Sequence, residues 1–380
     1  MRMLVLGAGL QGSACAFDLL RNPSVERVLL ADMRIDRLPA FLKDAGARLV
    51  PVSLDVRDGA SVSKMFAECD AVMSAIPYYF NFPLAQLAVE EGVHFSDLGG
   101  NTAIVQQQLT LDSAARRKGV SVIPDTGLAP GMVNVIAQYG IEQFDRVESV
   151  KLFVGGLPEV PEPPLGYQIA YSIEGMVDYY TAESLVVRNS KPQKVTALSE
   201  IETVVFPDPV GELEAFHTAG GLSTMVFRYE GRIPTMEYKT LRYPGHARIM
   251  EAIRDLGLLS NEAVDVKGQQ VVPRDVFVRV AGEKLRKGKP DLVALRVEVA
   301  GEKGGVPSTR AWQLIDRYDA VHGISAMMRT TGYTLSITGQ LQVMGEIEPG
   351  VHTPDECMPG KRYMEMLAER GVEVQEVDIT

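Results

Sequence analysis

The opening stretch, MRMLVLGAGLQG, limits what the chain can fold into more than any other. Met1, Met3, Leu4, Val5 and Leu6 run into Gly7, Ala8, Gly9, Leu10, Gln11 and Gly12, and these lead into SACAFDLLRN, a helix-forming segment. Glycines placed between a buried strand and a helix start make a dinucleotide-binding turn. Gly7 permits the tight turn, Gly9 lets the backbone approach a pyrophosphate, and Gly12 lets the helix pack on the strand. Free N–H groups at the helix start then face the phosphates. The next apolar run, RVLLAD, ends in Asp32, about 20 residues after Gly12, where an acid accepts the ribose hydroxyls. That carboxylate favours NAD over NADP because it repels a 2′-phosphate. Arg34 suits a phosphate, a stacked adenine or plain solvent.

At 380 residues the chain exceeds one ordinary core, which stops growing at roughly 250 to 300 residues, so two domains are expected. A net charge of −11 disfavours nucleic acid or an anionic membrane as the main partner. No apolar run reaches the roughly 18 residues of a membrane span, and the N-terminus enters a strand that the fold needs. A cytoplasmic protein is the expectation. Cys15, Cys69 and Cys357 lack CxxC spacing, and His94, His217, His246, His322 and His352 lack HxH or HExxH spacing, so neither a disulfide nor a metal site is expected. No GxSxG elbow supports a serine nucleophile.

From residue 1 to about 130, apolar runs alternate with helical patterns, the signature of βαβ units. Strands are expected near Met3–Leu6, Arg27–Ala31, Arg48–Leu54, Ala71–Ile76, His94–Asp97 and Ser121–Pro124, with helices at Pro83–Glu91 and Ala103–Lys118. Ligands of such sheets lie at the carboxyl ends of the strands. That singles out Asp32 with Arg34, Asp55 with Val56, Ala75 with Pro77, Asp97 with Gly99, and Asp125. Asp125 lies in the shaped loop PDTGLAPGM, where Pro130 suits the first turn of the next helix. Its carboxylate is a candidate for amine binding or proton transfer, with capping of a turn as the competing role.

Beyond about residue 131 the runs ESVKLFVGG, SLVVRN, TMVFRY, RDVFVRVA and DLVALRVEVAG read as strands, and the alternation in LVALRVEV reads as an antiparallel sheet with one wet face. Gly155–Leu165, with Pro158, Pro161, Pro163 and Pro164, reads as an excursion rather than a strand. Helical patterns at Thr331–Met344 and Lys361–Arg370 fit a return to the first domain. The domains expected are therefore 1–130 with 331–380, and 131–330. The second concentrates polar residues at Ser172–Gly175 with Glu174, in a flexible glycine-broken run from His217 and Thr218 to Thr224, and at Glu237–His246. In a strand, Lys239 and Arg242 fall on opposite faces, whereas Arg242 and His246 share one. Surface charge is the competing role for Lys239 and Arg242.

VLGAGLQG, SDLGGN, IPDTGLAPGM, VGGLPEVPEPPLGY, EAFHTAGG, EYKTLRYPGHA and MMRTTGYT, in this order along nearly the whole chain, resemble the lysine 6-dehydrogenases of the saccharopine dehydrogenase superfamily. The resemblance implies an α/β protein, with a Rossmann domain completed by C-terminal helices and a mixed α+β second domain for substrate contacts and homo-oligomer formation. It implies NAD-dependent oxidation of the ε-amine of L-lysine to an aldehyde that cyclises to a piperideine carboxylate, with release of ammonia. It also implies a histidine where this chain has Asn101. On that reading Gly7, Gly9, Leu10, Gln11, Gly12, Asp32, Arg34, Asp55, Val56, Ala75, Pro77 and Gly99 bind the cofactor. Asp97, Asp125 and Glu174 serve the amine end; Arg242, His246 and Lys239 hold the α-carboxylate, with His217 and Thr218 lining the middle. The alternatives are a relative that couples an amine to a carbonyl acid reductively, as saccharopine or carboxynorspermidine dehydrogenases do, and a non-catalytic dinucleotide sensor.

Overall fold

The first strand, β1 (Arg2–Leu6), is buried on both faces from Met3 to Leu6, as a continuous apolar run requires in a parallel sheet covered by helices. Leu4 and Leu6 join one core with Phe66 and Phe95, whereas Met3 and Val5 join another with Leu19 and Leu335. The computed structural model describes residues 1–36, 38–169 and 172–379. They form two compact units: Met1–Gln143 with Ser223–Met225 and Asp319–Val374, and Phe144–Leu222 with Val226–Tyr318 and Gln375–Thr380.

In the first unit, β1 is joined by β2 (Arg27–Asp32), β3 (Leu49–Ser53), β4 (Ala71–Ser74), β5 (His94–Asp97) and β6 (Ser121–Ile123). The order is β3-β2-β1-β4-β5-β6, followed by the short strand Gly350–Val351, and every pairing is parallel. The order turns back between β1 and β4, so the carboxyl ends of those strands border the ligand crevice of a doubly wound sheet. The expected helix Ala103–Lys118 is two helices, Thr102–Leu109 and Asp112–Lys118. The Thr110 hydroxyl bonds back to the Gln107 carbonyl at 2.6 Å and ends the first. Pro130 precedes its helix instead of entering it: Met132–Ile141 starts after Gly131, whose φ of +129° no other residue adopts readily.

The helix Ala326–Val343 completes this unit. Gln342 donates to the Phe95 and Ser121 carbonyls, both at 3.0 Å, and the Ser336 hydroxyl donates to Asp18, which Arg370 also grips at 2.8 Å. The unit boundaries differ from 1–130 with 331–380 because Met132–Ile141 packs on the helices Pro354–Cys357 and Gly360–Ala368. The tail strand Gln375–Val377 instead pairs with Val306–Arg317 of the second unit.

The second unit is built on β7 (Arg146–Pro158), β8 (Ser184–Arg188), β9 (Lys191–Val195), β10 (Glu202–Val205), β11 (Glu212–His217) and β12 (Thr235–Arg242), with the long hairpin Asp291–Lys303 and Val306–Arg317. Its order is β10-β11-β12-β7, then the hairpin strands and Gln375–Val377; β8 pairs with both β12 and β9. The sheet is mixed, since β12 and β7 run parallel. Gly155 lies inside β7, where a Cβ would come 2.6 Å from the Leu241 carbonyl oxygen, so the expected excursion starts only after Pro158. TMVFRY and RDVFVRVA are not strands: they contribute the helices Met225–Arg228 and Pro273–Leu285. Pro273 suits a first helical turn, and Phe277, Ala281 and Leu285 recur at helical spacing along the packed side. The strand through LVALRVEV is buried on both faces over Leu292–Val297, and the expected alternation with half-exposed residues begins only at Glu298.

Candidate functional site

The glycine turn has the form that its sequence dictates. Gly7 adopts φ +96° and donates to the Ala31 carbonyl at 2.7 Å; a Cβ on it would sit 2.7 Å from the Ala75 carbonyl oxygen. A Cβ on Gly12 would sit 1.8 Å from the Gly7 oxygen, whereas one on Gly9 would meet nothing within 4 Å. The helix Leu10–Arg21 has no acid in its first turn and no side-chain cap at Gly9, so its first N–H groups face an open cradle. The Gln11 side-chain Oε1 is buried without a hydrogen-bond partner among the described residues, and Leu10 is exposed. The cradle fits a pyrophosphate. Asp32, at the end of β2, accepts from the Ala8 N–H at 2.8 Å and the Arg34 N–H at 2.9 Å, which fixes its carboxylate beside the turn. The Arg34 residue is exposed.

Other expected cofactor residues lie along the same strand ends. Ala75 donates its N–H to Leu6, and Pro77 leads into the turn Tyr78–Phe80. Asp55 follows β3, where hydrogen bonds from the Arg57 side chain pull its carboxyl down to about 2. Val56 packs against the core. Asn101 caps the helix Thr102–Leu109, accepting from the Ala103 and Ile104 N–H groups.

Asp97 and Asp125 come together at the ends of β5 and β6, both nearly inaccessible to solvent. Asp97 accepts from the Gly99 N–H and the Gln108 side-chain amide, each at 2.7 Å, and burial pushes its carboxyl up to about 6. The Thr126 N–H and hydroxyl both bond the Asp97 carbonyl, at 2.7 and 2.8 Å, tying the two loops together. Burial pushes the Asp125 carboxyl up to about 7; a hydrogen bond from Ser223 opposes this, and the charges of Asp97 and Asp355 reinforce it. Gly99 is a glycine because a Cβ there would fall 1.8 Å from the Asp125 carboxylate. A carboxyl that titrates near neutrality can take and return a proton during turnover.

The second unit treats its expected site residues differently. Glu174 is exposed at the start of the helix Ile173–Thr181 and accepts from the Ser172 hydroxyl at 2.9 Å. His217 is not in a flexible loop: it ends β11 and is fully buried. The buried Thr218 hydroxyl pairs with that of Thr240 at 2.7 Å. Lys239 is no surface charge; it is buried and bonds Glu202 at 2.6 Å and the Glu200 carbonyl at 2.7 Å. Arg242 is buried with its guanidinium 4.7 Å from the Tyr167 ring centre. Arg242 and His246 do not share a strand face, since β12 ends at Arg242 and His246 opens the helix His246–Asp255. The Leu165 carbonyl can only accept, so His246 Nδ1 carries the proton and Nε2 accepts from the Tyr180 hydroxyl at 2.9 Å. Burial and the Arg242 charge push His246 down to about 3, so both ring nitrogens are committed to the fold in a neutral imidazole.

Side-chain spacing in the sequence does not reveal one cluster. Glu200, His217 and Glu237 bring ligand-type atoms within 4.8 Å of one another. Arg188 sits between the two carboxylates, 2.7 Å from Glu200 and 2.9 Å from Glu237, so a guanidinium already neutralises the acids that a cation would need. Among the described residues, no helix is long and apolar enough to cross a membrane.

Residues 3–123 match the saccharopine dehydrogenase NADP binding domain, and residues 127–372 match the saccharopine dehydrogenase C-terminal domain. The saccharopine dehydrogenase (NADP(+), L-glutamate-forming) of Saccharomyces cerevisiae is 26% identical over 309 residues, which is 77% of this chain and 66% of that protein. The enzyme of the same description from Schizosaccharomyces pombe is 24% identical over 453 residues, covering 98% of each. The solved structure of apo saccharopine dehydrogenase (L-Glu forming) from Saccharomyces cerevisiae shares the fold with a TM-score of 0.81, 21% identity and full coverage of both chains.

Proposed function

The chain belongs to the saccharopine dehydrogenase family, and we propose that it uses NAD to oxidise the ε-amine of L-lysine, releasing ammonia and the aldehyde that cyclises to 1-piperideine-6-carboxylate. The observation that carries this reading is the pair of buried strand-end carboxyls, Asp97 and Asp125, raised to about 6 and about 7 beside the dinucleotide turn. A lysine ammonium, with an ordinary pKa near 10.4, must lose a proton before the carbon that bears it can be oxidised. Asp125 takes that proton, and Asp97, held by Gly99 and Gln108, orients the amine. Bound nicotinamide supplies the hydride acceptor. Once Asp125 has passed that proton to solvent, its carboxylate takes a proton from the water that adds to the imine carbon, and the resulting carbinolamine collapses with release of ammonia. Arg242, expected at the α-carboxylate, donates to the Leu241 carbonyl at 2.8 Å and lies over the Tyr167 ring, and it is assigned no role here. Glu174, Lys239 and His246 are left out, the first because it is exposed and the others because protein groups occupy them.

Asp32 supports NAD, although the named relatives use NADP. Those names favour a second reading, oxidation of saccharopine at a secondary amine with glutamate as the departing amine. Lysine and saccharopine, each with NAD and with NADP, are incubated at alkaline pH while reduced cofactor, ammonia and glutamate are measured. Lysine-dependent NADH with ammonia supports the proposal; glutamate formed from saccharopine alone replaces it. Dinucleotide binding without turnover of either indicates a sensor. The proposal extends to a cytoplasmic homo-oligomer, supported by the exposed Val264, Val266, Val276 and Val280 and checked by light scattering.

A further inference from the structure

Ser223 has no part in the sequence motifs of the cofactor site, yet Ser223–Met225 belongs to the first unit although the residues on either side belong to the second. Its hydroxyl donates to Asp125. Both residues lie in the left-handed region, Asp125 at φ +59° and Ser223 at φ +46°, where side chains other than glycine are strained. Strain at two residues joined by one hydrogen bond marks a geometry that the surroundings enforce. Asn134 meets Met225 at 3.2 Å, and Met225 is fully buried, so the segment that presents Ser223 is anchored. The other oxygen of Asp125 lies against Gly99, where no side chain fits. Among the described residues, the charged groups that bear on Asp125 are Asp97 from β5 and Asp355 from the helix Pro354–Cys357, both acids, and its polar support comes from neutral donors, the Ser223 hydroxyl and the Gly100 N–H.

We propose that Ser223 is the positioning residue of the proton acceptor: its hydroxyl holds the Asp125 carboxylate in one orientation and in the ionised form that receives the amine proton. This rests on the reading of Asp125 given above. A serine placed only for packing would be better replaced by glycine at this φ, so Ser223→Gly separates the two roles.

The test follows the 13C carboxyl resonance of Asp125 in selectively labelled protein, assigned by its loss in Asp125→Asn, across pH in wild type, Ser223→Gly and Ser223→Asn. Loss of a hydroxyl donor to a carboxylate raises the titration midpoint, expected by about one unit in Ser223→Gly. Its melting temperature holds or rises as the strain is relieved. In lysine oxidation, kcat/KM at neutral pH falls about tenfold, and the acid limb of its pH profile moves up with the midpoint. Ser223→Asn, whose side chain keeps a donor and tolerates the left-handed region, returns the midpoint toward the wild-type value. An unmoved midpoint in Ser223→Gly overturns the proposal, whatever happens to stability. A wild-type enzyme that leaves lysine untouched overturns the proposed function instead, while the titration still decides the role of Ser223.

Discussion

The molecule gathers acids in two places and compensates them in opposite ways. In the first unit, Asp97 and Asp125 receive N–H and O–H donors from Gly99, Gln108 and Ser223, and among the described residues neither is paired with a cation. In the second, Glu200, Glu202 and Glu237 meet Arg188, Lys239 and Lys151 within ion-pair distance. Burial works against the ionised form in both regions. In the second, Glu200 and Glu202 still end below the ordinary carboxylate range because Arg188, His217 and Lys239 hydrogen-bond them. Burial also lowers the His217 pKa, which for an imidazole favours the neutral form. Acids supported by neutral donors remain able to exchange protons near neutrality, whereas acids locked to cations become scaffold.

The most severe way to break this contrast is to remove a proton acceptor from the first region. Asp125→Asn is expected to lower kcat for lysine by about 10²- to 10⁴-fold, the usual worth of a general base, with the melting temperature at pH 8 unchanged or higher. A normal rate in steady-state kinetics would show that Asp125 is as inert as Glu237. Arg188→Ala attacks the other region: it leaves the buried Glu237 short of a partner and is expected to cost about 3 kcal/mol in urea denaturation, with Arg188→Lys recovering part.

A pH series sharpens the comparison through its signs. Asp97 and Asp125 have folded-state pKa values raised to about 6 and about 7, so their bound protons favour the folded state at low pH. That contribution is lost as pH rises through those values, and wild type should lose about 2 kcal/mol between roughly pH 5.5 and pH 7, a loss reduced in Asp125→Asn. Glu200 and Glu202, with lowered values, stabilise above the ordinary carboxylate pKa and lose that contribution as pH falls through their folded values. Urea titrations of wild type and both variants at several pH values test each sign. The smallest effect concerns the cradle beside the first region. Gly9→Ala places a methyl group in open space, so its melting temperature should hold while its Kd for NAD rises about tenfold, or 1.4 kcal/mol, by fluorescence titration.

The same contrast explains how much the sequence discloses. The turn at Gly7–Gly12, Asp32 and the parallel strands were legible because each rests on local spacing, an apolar run followed by glycines and a helix start. Asp97 and Asp125 were legible as strand-end acids, since position along a βαβ pattern is also local. Their supporter Ser223 was not, because the bond joins residues 98 positions apart. Nothing in the His217 region announced that its ring faces Glu200 across neighbouring segments of the second unit. The helix Pro273–Leu285 was misread because Val276, Val278 and Val280 alternate as a strand would, and only the packed side of Phe277 and Ala281 shows the other period. The wet face expected of LVALRVEV begins only at Glu298, since alternation cannot tell that the polar side is covered at Arg296.

The helix Ala326–Val343 also governs the order in which the cofactor half can be assembled. Its Gln342 amide bridges β5 and β6, and its Ser336 hydroxyl reaches Asp18 in the helix that follows the glycine turn, across 318 positions of chain. During synthesis the strands that carry Gly7 and Asp32 emerge before this helix and stay one helical layer short while the intervening unit is made. A chain arrested before Ala326 should therefore leave this sheet accessible to proteases, and its protection should arrive late, in step with the final helices rather than with the glycines that define the turn.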